Sequence, residues 1–215
     1  MRIRVTFSKT QDMRYTGHLD LHRTWERTFR RARLPLAYSQ GFHPQPRLNL
    51  ACALPLGLTS DCELLDAWLE TDQPLAEVQE ALAEAAPPGI HIHQIDEITT
   101  PLPALQTQVS AADYTVTLLD LLPDLADRLT TLAASPTLPR VRRNKPYDLR
   151  LLIEAIESLP PDEAGQSRFH LRLATRDSAT GRPEEVLSVL GIPLEATRIH
   201  RTAIILQDEF RKLDR

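Results

Sequence analysis

Arg2-Ile-Arg-Val-Thr-Phe-Ser8, followed after a turn by Gly17-His-Leu-Asp-Leu-His-Arg-Thr-Trp-Glu-Arg-Thr-Phe-Arg-Arg-Ala-Arg33, sets the pattern of the chain. In the first segment Ile3, Val5 and Phe7 alternate with Arg2, Arg4 and Thr6, the period of a half-buried strand. In the second, Leu21, Trp25, Phe29 and Ala32 fall at i, i+4, i+8 and i+11, one apolar stripe of a helix. Arg23, Arg27 and Arg30 fall at i, i+4 and i+7, offset from that stripe by about 200° around the helix. One face therefore packs, and the opposite face carries a row of guanidinium groups. Pro35 ends the helix.

The pattern extends outward. Residues 48–54 and 61–70 read as strands, 74–86 as a helix followed by Pro87-Pro88-Gly89, and 90–98 as a strand. The order β-α-β-β-α-β is the split βαβ arrangement of a ferredoxin-like domain, expected over residues 1–100. Pro101 and Pro103 mark a linker over 101–112. The order then recurs: strand 114–119, helix 123–134, strand 138–144, strand 169–175, helix 183–190 closed by Gly191, and a last strand from near Arg198 through Leu206. Between these, 147–159 reads both ways. Leu149, Leu151 and Ile153 alternate, whereas Leu152, Ile156 and Leu159 have helical spacing. The expected fold is α+β: two tandem ferredoxin-like halves, helices packed on antiparallel sheets, the second half spanning 113–215 with an insertion near 147–165.

A chain of 215 residues can bury a sizeable core. No apolar run approaches the roughly 18 residues that span a bilayer, and the N-terminus alternates instead of forming a signal-peptide core. A cytoplasmic protein with no membrane association is expected. Cys52 and Cys62 are the only cysteines. They are expected to be reduced thiols, and they are too few for an iron–sulfur cluster. The net charge of −4 hides an asymmetry. Residues 1–50 carry Arg2, Arg4, Lys9, Arg14, Arg23, Arg27, Arg30, Arg31, Arg33 and Arg47 against Asp12, Asp20 and Glu26. Residues 51–139 have Arg128 as their only basic residue. Arg140, Arg142, Arg143 and Lys145 then form a dense basic run. Such asymmetry points either to an anionic partner or to charges that pair within the fold.

Arg14-Tyr-Thr-Gly-His-Leu-Asp-Leu21, the run from Arg30 to Leu48 containing Tyr38-Ser-Gln-Gly-Phe-His-Pro-Gln-Pro46, then Leu54-Pro-Leu-Gly57 and Glu63, together resemble the signature of the radical SAM-linked domain family, a family of undetermined function. The resemblance covers the first 70 or so residues and, more loosely, Arg142 to Arg150. Gly17 stands where the family usually has serine, so a hydroxyl role there is in doubt. The resemblance implies a radical SAM partner that would carry the Fe–S cluster and S-adenosylmethionine, with none of these cofactors in this chain. It also implies possible work on RNA, such as tRNA or rRNA modification.

The residues themselves offer several kinds of chemistry. His18 and Asp20 lie near a helix start, where they can share a proton or orient a substrate; the plainer role of Asp20 is to favour the helix dipole or pair with Arg23. His18 and His22 have metal-ligand spacing, with His43, Cys52 or Glu63 as a third ligand from afar, but no His-Glu-x-x-His motif is present and no metal is expected. Tyr38, Ser39, Gln40, Gly41 and Phe42 form a loop suited to gripping a phosphate or stacking on a base. Arg23, Arg27, Arg30, Arg31, Arg142, Arg143 and Lys145 suit phosphate, and are expected to line one cleft if the halves face each other. Lys9, Arg14, Arg47 and Glu63 complete the candidate RNA-binding set. No Walker loop, GxGxxG or Gly-x-Ser-x-Gly is present. The expected function is an accessory, substrate-presenting RNA-binding protein without catalysis of its own. The alternatives are an RNA-acting enzyme using His18 and Asp20, and a protein–protein adaptor that binds no RNA.

Overall fold

The computed structural model describes residues 1–176 and 179–207. The architecture is mixed α+β, with antiparallel sheets and five α-helices among the described residues. The chain divides into two compact units, one of Met1–Val109 to which the chain returns at Leu206, the other of Ser110–Ile205.

The first unit runs β1 (Arg2–Lys9), α1 (His18–Arg31), β2 (Leu48–Leu50), β3 (Thr59–Trp68), α2 (Leu75–Ala85) and β4 (Ile90–Glu97), then a helical turn α3 (Leu105–Gln108). Its strands lie in the order β2-β3-β1-β4, all antiparallel. The alternation in β1 sends Ile3, Val5 and Phe7 into the core, where the α1 stripe meets them. Phe7 and Trp25 pack edge to face at 4.7 Å, and Val78 and Leu82 bring in α2. The α1 helix starts at Gly17, whose carbonyl accepts a hydrogen bond from Leu21 N at 2.8 Å. Arg30 and Arg31 occupy its last turn, where cations complement the helix dipole. Gly89 is required where α2 hands over to β4. Its φ is +89°, its carbonyl accepts from Thr10 N at 2.9 Å, and a Cβ there would stand 2.6 Å from Met13 Cγ.

Two expectations shift here. The second strand ends at Leu50, not 54, because after the Ala51 N to Leu64 O bond the chain turns away through Pro55 and Gly57, the latter at φ +87°. Within the expected linker, Leu105 and Gln108 are buried in α3, and the next strand begins at Val109.

The second unit contains β5 (Val109–Leu118), α4 (Leu125–Ala134), β6 (Pro139–Arg142), β7 (Lys145–Asp148), β8 (Ile153–Leu159), β9 (Arg168–Arg176), β10 (Ala179–Thr180), α5 (Pro183–Leu190) and β11 (Thr197–Leu206). The ladder runs β10-β9-β5-β11, with β8 also on β9. Val116, Phe169, Leu171 and Leu173 from the sheet are buried, as are Leu129 and Leu132 of α4 and Val186 and Leu187 of α5. The strand expected over 138–144 is present as Pro139–Arg142, but it lies outside the main ladder. Those residues fold back on 145–148 as a separate two-stranded hairpin, and the strand beside β9 is β8. The cause is Arg143-Asn144, both with positive φ (51° and 62°), the backbone of a tight two-residue hairpin turn. The ambiguous stretch resolves into a 3₁₀ turn over Leu149–Leu152 and the strand from Ile153.

Each unit places a cross-strand ion pair on its sheet. Arg4 faces Asp66 across β1 and β3, bonding through Nε at 2.8 Å, and Arg2 Nη2 reaches the same carboxylate at 2.6 Å. In the second unit Asp113 faces Arg172 across β5 and β9, in a bidentate pair at 2.6 and 2.8 Å. His170 Nε2 lies 3.3 Å from Asp113. Burial pushes the Asp113 carboxyl up, but the bonds and charge of Arg172, aided by His170, more than offset this and hold it below its ordinary value.

Candidate nucleic-acid interface

The outer face of α1 carries the row of arginines read from the sequence. Arg27, Arg30 and Arg31 project with Thr24 around a depression of about 370 Å³, closed by Met13 and Pro87. Among the described residues none of these three guanidiniums has an ion-pair or hydrogen-bond partner. Three planar cations thus lie together without a carboxylate partner among the described residues, and the guanidinium fork matches phosphate oxygens. Arg23 differs: it lies 3.5 Å from Asp20, and both side chains are 68% exposed.

The Tyr38–Pro46 loop is closed at its base. Ser39 N donates to Gln45 O at 2.8 Å, Gln45 N donates to Ser39 Oγ at 2.9 Å, and Tyr38 bridges to Pro46. Ser39 is therefore a structural latch. The closure holds Gln40, Gly41 (φ +133°), Phe42 and His43 out in solvent. Phe42 is 102% exposed and Tyr38 is also exposed. The Phe42 ring therefore plugs no core, and its faces are open to solvent. Arg47 follows the latch, its backbone N bonded to Ala37 O and its guanidinium 4.7 Å from the Trp68 ring centroid.

In the second unit the β6–β7 hairpin presents Arg143 and Lys145 to solvent. Arg142 is not free for a ligand. It pairs with both Glu185 oxygens, donates to Thr180 O at 2.9 Å and lies over the Tyr147 ring. The bond to Glu185 raises Arg142 above its ordinary value, and burial followed by Glu185 raises Tyr147. Arg142 thus anchors the hairpin to α5.

Other sequence candidates fall elsewhere. Lys9 and Glu63 are buried, at 0% and 1% exposure, because the β1–β3 register turns them inward. Lys9 Nζ donates to the carbonyls of Arg14 and Leu58 at 3.3 and 3.1 Å. Neither residue can meet RNA at the surface. Arg14 caps the Gly57 carbonyl at 2.7 Å and stacks on Tyr15. His18 sits half-buried at the start of α1 and Asp20 is exposed beside it. His22 Nε2 lies 3.3 Å from the Leu48 carbonyl. Among the described residues no group of three or more His, Cys, Asp or Glu side chains is placed to hold a metal ion, and no helix is long and apolar enough to cross a membrane. The sequence reading missed Trp68, to which both Arg2 and Arg47 are drawn. Only the register, which sets Arg2 opposite Trp68, reveals it.

The described residues thus form an antiparallel α+β chain that carries three arginines without ion-pair partners on α1 and a latched loop with an exposed aromatic ring. More particularly, the chain belongs to DUF2344, a family of uncharacterised proteins conserved in bacteria, whose model matches residues 2–183. A search of curated proteins finds no match. Among solved structures the chain is similar to a chain of a Cbf5–Nop10–Gar1 complex, at 10% identity and a TM-score of 0.49, covering 96% of this chain and 50% of that one. It is also similar to a chain of an H/ACA RNP bound to a substrate RNA containing 2′-deoxyuridine (12% identity, TM-score 0.43, 88% and 45% covered). The small subunit of acetolactate synthase from Thermotoga maritima matches at 9% identity and a TM-score of 0.26, with 96% and 95% covered. The chain spans about half the length of the first two.

Proposed function

We propose that the chain is an accessory RNA-binding protein that presents RNA to an enzyme. In this reading Arg27, Arg30 and Arg31 hold phosphates, Phe42 and Tyr38 stack on unpaired bases, and Arg143 and Lys145 on the hairpin add a further phosphate contact. The observation that carries it is the convergence of three partnerless guanidiniums on one depression. Arginine left unpaired on a rigid helix suits an anion that arrives from outside. The strand orders of the two units support tandem split βαβ folds, the second interrupted by the hairpin. The resemblance in the first 70 or so residues adds the partner: a cytoplasmic radical SAM protein bringing the cluster and S-adenosylmethionine, with tRNA or rRNA modification as the reaction served.

The test is fluorescence anisotropy of the purified chain with cellular RNA over a salt series. Each phosphate contact contributes about 0.7–0.9 to the log–log salt slope, so Arg27→Glu, Arg30→Glu and Arg31→Glu together are expected to flatten it by about 2. Arg143→Glu is expected to flatten it by about one contact. No binding, or a slope indifferent to these variants, overturns the reading and leaves a protein partner as the target of the basic faces.

A further inference from the structure

A cavity at the foot of the latched loop is unused by the phosphate contacts described above. It encloses about 260 Å³ between Arg2, Arg47, Asn49, Trp68 and the Leu102–Ala104 stretch. That is slightly below the ~300–1,000 Å³ of common small-molecule sites, and suits one planar ring with a short substituent.

The walls are unequal in a way that points to a ligand. Arg2 lies 4.8 Å from the Trp68 centroid and is clamped: its guanidinium bonds Asp66 at 2.6 Å, Leu102 O at 2.8 Å and Pro103 O at 3.0 Å. Arg47 lies 4.7 Å from the same centroid, yet it is exposed and among the described residues its guanidinium has no hydrogen-bond or carboxylate partner. Trp68 thus lies beside one arginine held by several hydrogen bonds and one held by none among the described residues. Asn49 is half-buried on β2, and among the described residues its side-chain amide also has no partner. An amide offers two donors and an acceptor in one plane, and leaving it unmet in a wall is costly unless water or a ligand meets it.

We propose that this cavity is a nucleotide pocket: the base stacks on Trp68 with Arg47 as a cationic cover, Asn49 bonds the base edge, and Arg47 reaches the phosphate. The chemistry is that of a nucleoside monophosphate unit, either free or as an unpaired nucleotide of RNA, and the second source rests on the RNA-binding reading. Aromatic faces, arginine planes and side-chain amides are the groups by which unstacked nucleotides are held.

The test is a titration with AMP, GMP, CMP and UMP, read by tryptophan fluorescence. Trp25 is sealed in the core, so quenching reports Trp68, and Trp68→Phe removes the signal. Saturable quenching by at least one monophosphate is expected, weakened at least ten-fold in Asn49→Ala and in Arg47→Ala, with the matching nucleoside binding less tightly than the nucleotide. Arg47→Ala changes an exposed side chain and keeps the test valid should Asn49→Ala fold poorly. Failure of all four monophosphates to quench, or quenching unchanged in a folded variant, overturns the pocket. Monophosphate binding with no RNA binding leaves the pocket as a site for free nucleotide and overturns the RNA reading instead. RNA binding without monophosphate binding does the reverse.

Discussion

Replacing Asp66 by asparagine removes the charge on which the β1–β3 ladder is centred. The carboxylate is 0% exposed and Arg4 beside it 2% exposed. It accepts from Arg4 Nε at 2.8 Å and from Arg2 Nη2 at 2.6 Å. Removing one partner of a buried pair strands the other charge and costs about 3–5 kcal/mol. Asparagine keeps one acceptor oxygen, so a loss of about 3 kcal/mol, at the lower end of that range, is expected. With a urea slope of about 2 kcal/mol/M the unfolding midpoint falls by about 1.5 M. The contrast is Asp20→Asn, which breaks an Asp–Arg contact of the same chemistry at 3.5 Å with both partners 68% exposed. Exposed pairs contribute ~0–1 kcal/mol, a midpoint shift of no more than about 0.5 M. Urea unfolding followed by circular dichroism measures both. A shift in Asp66→Asn no larger than in Asp20→Asn refutes the argument that burial decides the value of these pairs.

Phe42→Ala is expected to leave the melting temperature unchanged, since the ring touches solvent alone, while weakening RNA affinity by the ~1–3 kcal/mol of one base–aromatic stack, about 5- to 150-fold; unchanged affinity refutes the stacking role. Gly89→Ala adds both a positive-φ strain and a 2.6 Å collision with Met13 Cγ, and is expected to lower Tm more than Gly165→Ala, whose Cβ meets nothing within 4 Å; equal shifts would count against it. Asp113 has a folded value held below its ordinary 3.8, so protonation favours the unfolded chain. The stabilisation from Asp113 is therefore complete above about pH 5 and is lost as the pH falls below about 4. A thermal-melt series should show a shallower acid-side fall in Asp113→Asn than in the parent, and superimposable slopes refute the assignment.

The parts of the fold legible in the sequence are those written in local periodicity. Ile3, Val5 and Phe7, and the Leu21–Trp25–Phe29 stripe, are core residues because a single strand or helix suffices to decide which way they face. The outward arginines of α1 follow from the same count. What was not legible depends on partners distant in sequence. Arg4 and Asp66, or Asp113 and Arg172, become pairs only once the register is known, which is why the charge count left Arg2 and Arg4 open between an anionic partner and pairing within the fold, and why Lys9 and Glu63 read as ligands. The 139–148 hairpin was hidden because Arg143-Asn144 lacks the glycine that usually announces a two-residue turn. In the candidate site, Phe42 and the α1 arginines were visible from their motifs, whereas the Trp68 cavity arises from β1, β2, β3 and the 102–104 stretch meeting, which no single segment encodes.

The most direct measurement is ultraviolet crosslinking of the chain to cellular RNA, with the attached peptides identified by mass spectrometry. Crosslinks concentrated in residues 38–47, with fewer in 23–31 and 140–147, are the predicted result. Crosslinks confined to the acidic 51–139 segment away from Trp68 and 102–104, or none at all, would contradict it.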